Sequence, residues 1–236
     1  MTARIRWCSV ISSFGGLRNI LGSQMVAKRE RIKLQFKRAL KELASTLSGY
    51  VSTDDSQWTI KGFIDVVRNV YAISADTKLV SKIVEIHLFP LLFKFAEQNS
   101  YRIVLAEHQN YYPDLSFIHE SDESIRFAVD LKTTYRLPDK RGFCNGFTLG
   151  SHGSYFINRD ERKNIQFPYG EYLGHFCLGM LYTRTDDIDK YETRTYSVDQ
   201  LNSIASVIRD IRFFACEKWE IASDRQGSGN TANMGA

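Results

Sequence analysis

The stretch from Pro113 to Lys132 constrains the fold of this chain most, because it predicts two paired strands. Apolar and polar residues alternate between Ile125 and Lys132, as they do in a strand. A second strand-like run covers residues 114–118, and the polar segment HESDES separates the two runs. Such a segment lets a strand fold back as a hairpin. The sequence therefore predicts a β-hairpin with two distinct faces, Ile125, Phe127, Val129 and Leu131 on one and Arg126, Ala128, Asp130 and Lys132 on the other.

Three charged side chains of this hairpin could meet at one edge of a sheet. Asp130 and Lys132 project from the same face, and Asp114 opens the neighbouring run. Two carboxylates can bind Mg²⁺ and leave positions open for water and a phosphate oxygen, and a lysine beside them can stabilise negative charge. These groups suit the hydrolysis of a phosphodiester. The alternative, which the pattern alone leaves open, is an ion pair on an exposed strand.

The composition of the 236-residue chain is that of an ordinary globular protein with one substantial core. The four cysteines show no CxxC spacing, which argues against a zinc site and favours a reducing compartment. No apolar run approaches the roughly 20 residues that span a bilayer. The sequence also has no phosphate-binding glycine motif. We therefore expect a cytoplasmic protein without a membrane segment, a signal peptide or a nucleotide cofactor.

Basic residues are concentrated at the amino terminus. Residues 1–42 contain ten Lys/Arg and two Asp/Glu, whereas the remainder contains 21 and 25. The net charge of +4 therefore does not by itself indicate a nucleic-acid-binding protein. Any surface for nucleic acid would be a local patch.

The order of predicted elements indicates one α/β domain, with a mixed β-sheet flanked by helices. Residues 1–24 are weakly patterned, which is typical of a disordered leader or of sequence upstream of the true start. A first helix is predicted from Val26 to Leu47, and its basic face is either solvated or binds DNA. A second helix is predicted from an N-cap at Asp76, with a bend or local break at Pro90. Further strands are predicted over residues 102–105, 172–185, 191–196 and 208–216.

Three more segments could carry function, and each has an ordinary structural alternative. Glu85 lies among apolar residues of the second predicted helix, which is unusual for a surface glutamate. Gln109 and Asn110 could follow a groove or contact phosphates, or they could form an ordinary polar loop. The segment GSGNT near the carboxyl terminus has little side-chain bulk. Its Asn and Thr could contact adenine and thymine, or the segment could be a flexible tail.

Several ordered blocks of the sequence resemble the EcoRV-like type II restriction endonucleases of the PD-(D/E)xK nuclease superfamily. The blocks extend over most of the chain from residue 75 onward and are SADTKLVSKIVEIHLFP (74–90), HQNYYPDLSF (108–117), AVDLKTTY (128–135), FTLG (147–150), KNIQFPYGEYLGH (163–175), YTR (182–184) and GSGNTANMG (227–235). Together they are far more specific than the PD…DxK pattern alone. The resemblance implies a restriction endonuclease-like core and a Mg²⁺-dependent homodimer within a restriction–modification system. It also implies cleavage of both strands of double-stranded DNA at a short palindromic site.

The resemblance assigns roles to single residues as well. It implies that Asp114 and Asp130 bind the metal and that Lys132 is the active-site lysine. Glu85 matches an additional acidic residue, either a second metal ligand or a support at the dimer-side helix. The implied DNA-binding residues are Gln109, Asn110, Thr133, Thr134, Lys163, Gly227, Ser228, Gly229, Asn230 and Thr231. Because the recognition segment matches, a GATATC-type site cut bluntly to leave 5′-phosphates is expected.

The resemblance also implies a further C-terminal portion, whereas the sequence stops at Ala236, soon after the recognition segment. We therefore expect a single nuclease domain over residues 25–236 that lacks this portion. The leading hypothesis is a site-specific endonuclease. One alternative is a DNA-binding relic that no longer cuts, and another is a repair nuclease of the same fold without sequence preference.

Overall fold

The centre of the fold is a five-stranded mixed sheet. The computed structural model describes the backbone of residues 11–108, 110–185, 194–223 and 233–235, and the side chains of residues 23–108, 110–185 and 194–223. The helices and strands are α1 (Ile11–Val51), β1 (Gly62–Ile64), β2 (Asn69–Ala72), α2 (Thr77–Gln98), β3 (Tyr101–Leu105), β4 (Leu115–His119), β5 (Asp122–Tyr135), β6 (Thr148–His152), α3 (Ser154–Ile157), β7 (Gly174–Arg184), β8 (Thr195–Ser197), β9 (Ile208–Glu217) and β10 (Asn233–Gly235). The strand order of the central sheet is β3-β4-β5-β7-β9. Strands β5 and β7 are parallel, and the other neighbours are antiparallel. A mixed sheet with flanking helices confirms the predicted fold class.

Strands β4 and β5 form the hairpin that the alternation of residues predicts. Leu115 pairs with Val129 and Phe117 with Phe127, so Asp114 enters the hairpin opposite Asp130. The side chains of Phe127 and Val129 are buried in the main core, and Asp130 projects from the other face of the strand. The hairpin therefore brings two carboxylates together while its apolar face anchors the sheet.

Helix α1 covers the apolar face of the sheet. The ring of Phe36 stacks on that of Phe127, with centroids 4.2 Å apart. The same ring makes edge contacts with Tyr101 and Phe117. Aromatic contacts of this kind add to the stabilisation from burial of apolar area. The apolar face of α1 is thus used for packing against the sheet.

Helix α1 is longer than its apolar pattern predicts. It begins at Ile11 rather than at Val26, so residues 11–24 of the expected leader are helical, and it ends at Val51. The three glycines among residues 11–24 disfavour a helix, so the sequence did not predict this part of α1. Extension of the helix into this segment needs no new nucleus, because each added residue gains a hydrogen bond on an existing helix.

Helix α2 begins where the sequence predicts, but it continues through Pro90. The side chain of Asp76 accepts hydrogen bonds from the backbone N–H groups of Lys78 and Leu79, both at 3.0 Å. The helix then continues to Gln98, and the predicted local break at Pro90 was wrong. Burial of one face of the helix compensates for the hydrogen bond that is lost at proline. The buried residues of that face are Val80, Ile83, Val84, Leu88, Leu92, Phe95 and Ala96.

The opposite face of the sheet is covered by a second cluster, rich in tyrosine. It contains Tyr112, Tyr155, Tyr169 and Tyr172, packed around Ala128 on β5. Strand β6 runs along this side and pairs with β10. A small separate sheet has the order β1-β2-β8.

Three of the remaining strand predictions are confirmed, and the fourth lies partly outside the described residues. Strands β3, β7 and β9 confirm the runs predicted over residues 102–105, 172–185 and 208–216. Strand β8 begins at Thr195, and the first residues of the predicted run 191–196 lie outside the described part of the chain. Across the residues that the structure describes, no helix is long and apolar enough to cross a membrane.

Candidate active site

The structure brings Asp114, Asp130 and Lys132 together, as the sequence predicts. The ammonium of Lys132 lies 3.4 Å from Oδ2 of Asp114 and 3.3 Å from Oδ2 of Asp130. The two aspartates are also joined through the backbone. The N–H of Leu131 donates to Oδ2 of Asp114 at 2.8 Å, and the N–H of Asp114 donates to Oδ1 of Asp130 at 3.3 Å. The pairing of β4 with β5 and the ammonium of Lys132 therefore hold the two carboxylates close together.

The two aspartates differ in their exposure. The side chain of Asp114 is 37% exposed, whereas that of Asp130 is 2% exposed. A carboxylate as buried as Asp130 needs partners, because an unpaired buried charge is strongly destabilising. One partner is Lys132, and the second is a residue that the sequence pattern does not reveal.

That second partner is Lys218, in the 3₁₀ turn that follows β9. Its ammonium lies 2.6 Å from Oδ2 of Asp130 and also donates to the backbone carbonyl of Leu149. It further lies 4.1 Å from the centre of the Tyr112 ring. No local pattern indicated this residue, since Lys218 and Asp130 are 88 positions apart in the sequence.

Gly150 allows the backbone to pass close to the carboxylates. Its φ is +71°, and a β-carbon at this position would lie 3.1 Å from Oδ2 of Asp130. It would also lie 3.8 Å from the ammonium of Lys132. Glycine suits both the positive φ and the close approach.

The surrounding charges affect the pKa of each group differently. Burial alone would raise the pKa of Asp130, but the ammonium groups of Lys132 and Lys218 hold it below its usual value. Burial raises the pKa of Asp114; Lys132 opposes this, and the charge of Asp130 adds to it. Burial would lower the pKa of Lys132, but the two carboxylates raise it above its usual value. Lys132 is therefore a cation at neutral pH.

Glu85 shares an open cleft with Asp114 and Lys132. The cleft has a volume of about 840 Å³, and its wall includes Glu85, Asp114, Lys132 and Thr133. The carboxylate of Glu85 accepts a hydrogen bond from Lys82 at 2.8 Å. In the described part of the chain no three or more Asp, Glu, His or Cys side chains are grouped so as to hold an ion. Glu85 thus lines the same cleft as Asp114 and Lys132, but it is not grouped with both aspartates in one ligand set.

The predicted DNA-binding residues are placed unevenly. Thr133 lines the cleft, and Asn110 and Lys163 are exposed. Thr134 is buried, and its hydroxyl donates to the backbone carbonyl of Asn145. The other predicted residues lie outside the described part of the chain, and these are Gln109, Gly227, Ser228, Gly229, Asn230 and Thr231.

Comparison with known proteins decides the family. The family model of the restriction endonuclease EcoRV matches residues 54–236. The type II restriction enzyme EcoRV of Escherichia coli is 34% identical to this chain over 194 residues, which are 82% of this chain and 77% of that enzyme. The chain belongs to the EcoRV restriction endonuclease family.

Membership of the EcoRV family establishes the general activity of the protein. The protein is a type II restriction endonuclease, a site-specific nuclease that binds DNA. EcoRV-like nucleases are generally metal-dependent. The matched region includes the hairpin β4–β5, the cleft and Lys218, so all the groups described above belong to the EcoRV-like part of the chain.

Proposed function

We propose that this endonuclease hydrolyses DNA phosphodiesters with Mg²⁺ held by Asp114 and Asp130, at a short palindromic site of the GATATC type. The observation that carries the proposal is the position of Lys132, which lies within 3.4 Å of both carboxylates. Asp114 and Lys132 border an open cleft that could admit a phosphate. Carboxylates and a cation at such a cleft suit phosphodiester hydrolysis better than a purely structural ion pair does.

The donor set at the cleft fits Mg²⁺. This ion is usually bound by one or two carboxylates together with waters and substrate phosphate oxygens, rather than by a cage of protein ligands. Two such carboxylates are present, because Asp114 immediately precedes β4 and Asp130 lies on the adjacent strand β5. When bound, Mg²⁺ would supply positive charge next to the phosphate and would lower the pKa of water.

Lys132 acts as a charge stabiliser in this proposal. The carboxylates raise the pKa of Lys132, so its side chain keeps its proton in the metal-free protein. Its ammonium can donate a hydrogen bond to a non-bridging phosphate oxygen, where negative charge grows during the reaction. Water gives up a proton to the solvent as its oxygen forms a bond to phosphorus, while the bond from phosphorus to the 3′ oxygen breaks. The 3′ oxygen takes up a proton, and the 5′-phosphate remains on the other product.

The remaining roles rest on the family likeness together with placement. We assign base recognition to residues 227–231 and minor-groove contacts to Gln109 and Asn110. Thr133, Thr134 and Lys163 are assigned to the DNA backbone, and Thr133 is the one of these that lines the cleft. Glu85 is a second acidic group of the same cleft, as an additional ligand or as a support. Residues 25–236 would act as one nuclease domain, in a cytoplasmic homodimer.

A plasmid digest tests the proposal. Two plasmids that differ only by one GATATC site are incubated with the protein, in Mg²⁺ or in EDTA. We expect one linear product with blunt ends and 5′-phosphates, from the plasmid with the site and only in Mg²⁺. Retention of uncut DNA in a gel-shift assay would identify a binding relic, and nicking of both plasmids alike would identify a nuclease without sequence preference. Either result would contradict the proposal.

A further inference from the structure

Lys218 is an unusually enclosed cation for a residue next to a cleavage centre. Its side chain is 5% exposed, and its ammonium contacts Oδ2 of Asp130, the carbonyl oxygen of Leu149 and the ring face of Tyr112. Burial of a lysine is costly unless the charge is paired and its N–H groups are bonded. Here a carboxylate, a carbonyl oxygen and an aromatic face supply those contacts.

The two lysines that contact Asp130 differ in what else they can reach. Lys132 is 18% exposed and lines the cleft of Asp114. Lys218 is absent from the wall of that cleft and borders another cavity of about 400 Å³, together with Leu149 and His175. A phosphate in the cleft can therefore draw Lys132 towards itself. Lys218 stays with Asp130.

The two oxygens of Asp130 consequently have different surroundings. Oδ2 lies 2.6 Å from the ammonium of Lys218 and 3.3 Å from that of Lys132. Oδ1 accepts one long hydrogen bond, at 3.3 Å, from the backbone N–H of Asp114. Oδ1 is therefore the oxygen with more capacity for a further partner.

We propose that Lys218 is a positioning residue that serves as the permanent countercharge of Asp130. It holds Oδ2 in the metal-free protein and leaves Oδ1 as the oxygen that takes a divalent ion. Its positive charge also weakens the binding of that ion, because like charges a few ångströms apart repel strongly in a partly buried site. The metal part of this inference rests on the proposed function, since it takes Asp130 as a metal ligand.

The contact between Lys218 and Asp130 can be tested without metal or DNA. Thermal unfolding is measured in EDTA for Lys218→Met, Asp130→Asn and the double variant. Breaking a buried ion pair by removing one partner is strongly destabilising, so Lys218→Met should lower Tm by at least about 6 °C. In the Asp130→Asn background the same change should cost less than half as much, because no buried carboxylate is left unpaired.

A matched control is Lys37→Met. Lys37 pairs with Glu217 and Glu220, which lie within two residues of Lys218 in the sequence. Among the ion pairs described, Lys37 has none with Asp114 or Asp130. Its effect on Tm should be the same in the otherwise unchanged protein and in the Asp130→Asn background. If Lys218→Met fails to fold, the double variant should still fold. The proposal is overturned if the effects of Lys218→Met and Asp130→Asn on Tm are additive. It is also overturned if neither Lys218→Met nor the double variant folds.

The effect on metal binding is tested with Mn²⁺ as the probe. Free Mn²⁺ is followed by its electron paramagnetic resonance signal during titration of the DNA-free proteins. Lys218→Met should bind Mn²⁺ at least about tenfold more tightly than the unchanged protein, since a repelling charge is removed. Lys37→Met should bind it as the unchanged protein does, and Asp130→Asn more weakly.

Two outcomes of the titration have separate meanings. Equal or weaker binding by Lys218→Met overturns the assignment of Lys218 as a countercharge that limits metal affinity. Unchanged binding by Asp130→Asn instead removes Asp130 as a metal ligand, and with it the proposed metal site. In that case the unfolding measurements alone decide whether Lys218 holds Asp130.

Discussion

Gly150 shows at the scale of one residue how tightly the backbone packs around Asp130. Substitution by alanine would place a β-carbon 3.1 Å from Oδ2 of Asp130, at a φ of +71°. Gly142 is a matched control, because its φ is +86° and a β-carbon there meets nothing within 4 Å. Both substitutions should lose about 1 kcal/mol for the positive φ. Gly150→Ala should lose about 1–3 kcal/mol more through crowding.

Chemical denaturation measures both glycine variants. The comparison separates backbone strain from contact with the carboxylate, because the two sites share the strain but not the contact. Equal losses for Gly150→Ala and Gly142→Ala would mean that Asp130 moves aside freely.

His175 makes stability depend on pH. Its Nδ1 accepts a hydrogen bond from the hydroxyl of Tyr112 at 2.8 Å, and its Nε2–H donates to the carbonyl of Tyr169 at 3.2 Å. Burial, assisted by the charge of Lys218, lowers the pKa of His175 to about 3. The unfolded chain binds a proton near pH 6.5 and the folded chain does not, so this stabilisation is complete above that pH. It is lost as the pH falls towards 3.

The free energy of unfolding, measured at pH 7.5 and at pH 5.0, tests the effect of His175. Between pH 7.5 and pH 5.0 the free energy of unfolding should fall by about 2 kcal/mol through this residue. His175→Gln keeps a donor and an acceptor but cannot bind the proton, so its fall should be smaller by that amount. Identical pH curves for the unchanged protein and His175→Gln would contradict the assignment.

At the scale of elements, the packing of α1 on the sheet depends on one aromatic side chain. Phe36 is buried and stacks on Phe127, whereas Leu34, two residues earlier in α1, is 53% exposed. Phe36→Ala should lower the free energy of unfolding by about 3–5 kcal/mol through a lost buried ring and the cavity left behind. Leu34→Ala should change it by less than about 0.5 kcal/mol. Urea denaturation checks both, and similar losses would show that α1 does not pack as described.

The elements also show what local sequence can predict. Residues two apart in a strand share a face, so the alternation in β5 was enough to predict that Asp130 and Lys132 project together. The polar turn before β5 then predicted that Asp114 joins them. These three residues therefore followed from spacing alone, whereas the placement of Glu85 in their cleft was implied by the family resemblance.

The rest of the site depends on contacts between distant parts of the chain. Lys218 reaches Asp130 because β7 pairs with β5 and β9 pairs with β7, and no local pattern encodes that order. Gly150 approaches the same carboxylate from β6. The start of α1 was missed for a different reason, since the three glycines among residues 11–24 disfavour a helix.

At the scale of the whole molecule, a palindromic site requires two equivalent active sites. A twofold dimer of this chain would present one cleft to each strand. Light scattering in EDTA, with a duplex that contains GATATC, should give a complex of two 27.2 kDa chains and one duplex. One chain per duplex would contradict the homodimer, and a protein-free duplex serves as the mass reference.

Cleavage by two aspartate variants of β5 tests the proposed role of Asp130 as a metal ligand. Asp130 and Asp122 both lie on β5, but Asp122 is exposed at the turn and bonds only to Ser124 among the hydrogen bonds described. Cleavage of the GATATC plasmid in Mg²⁺ is measured for Asp130→Ala and Asp122→Ala, with DNA binding followed by gel shift. Asp130→Ala should lose cleavage by at least about a thousandfold and still bind DNA, whereas Asp122→Ala should cut normally. Cleavage by Asp130→Ala at the rate of Asp122→Ala would contradict that role.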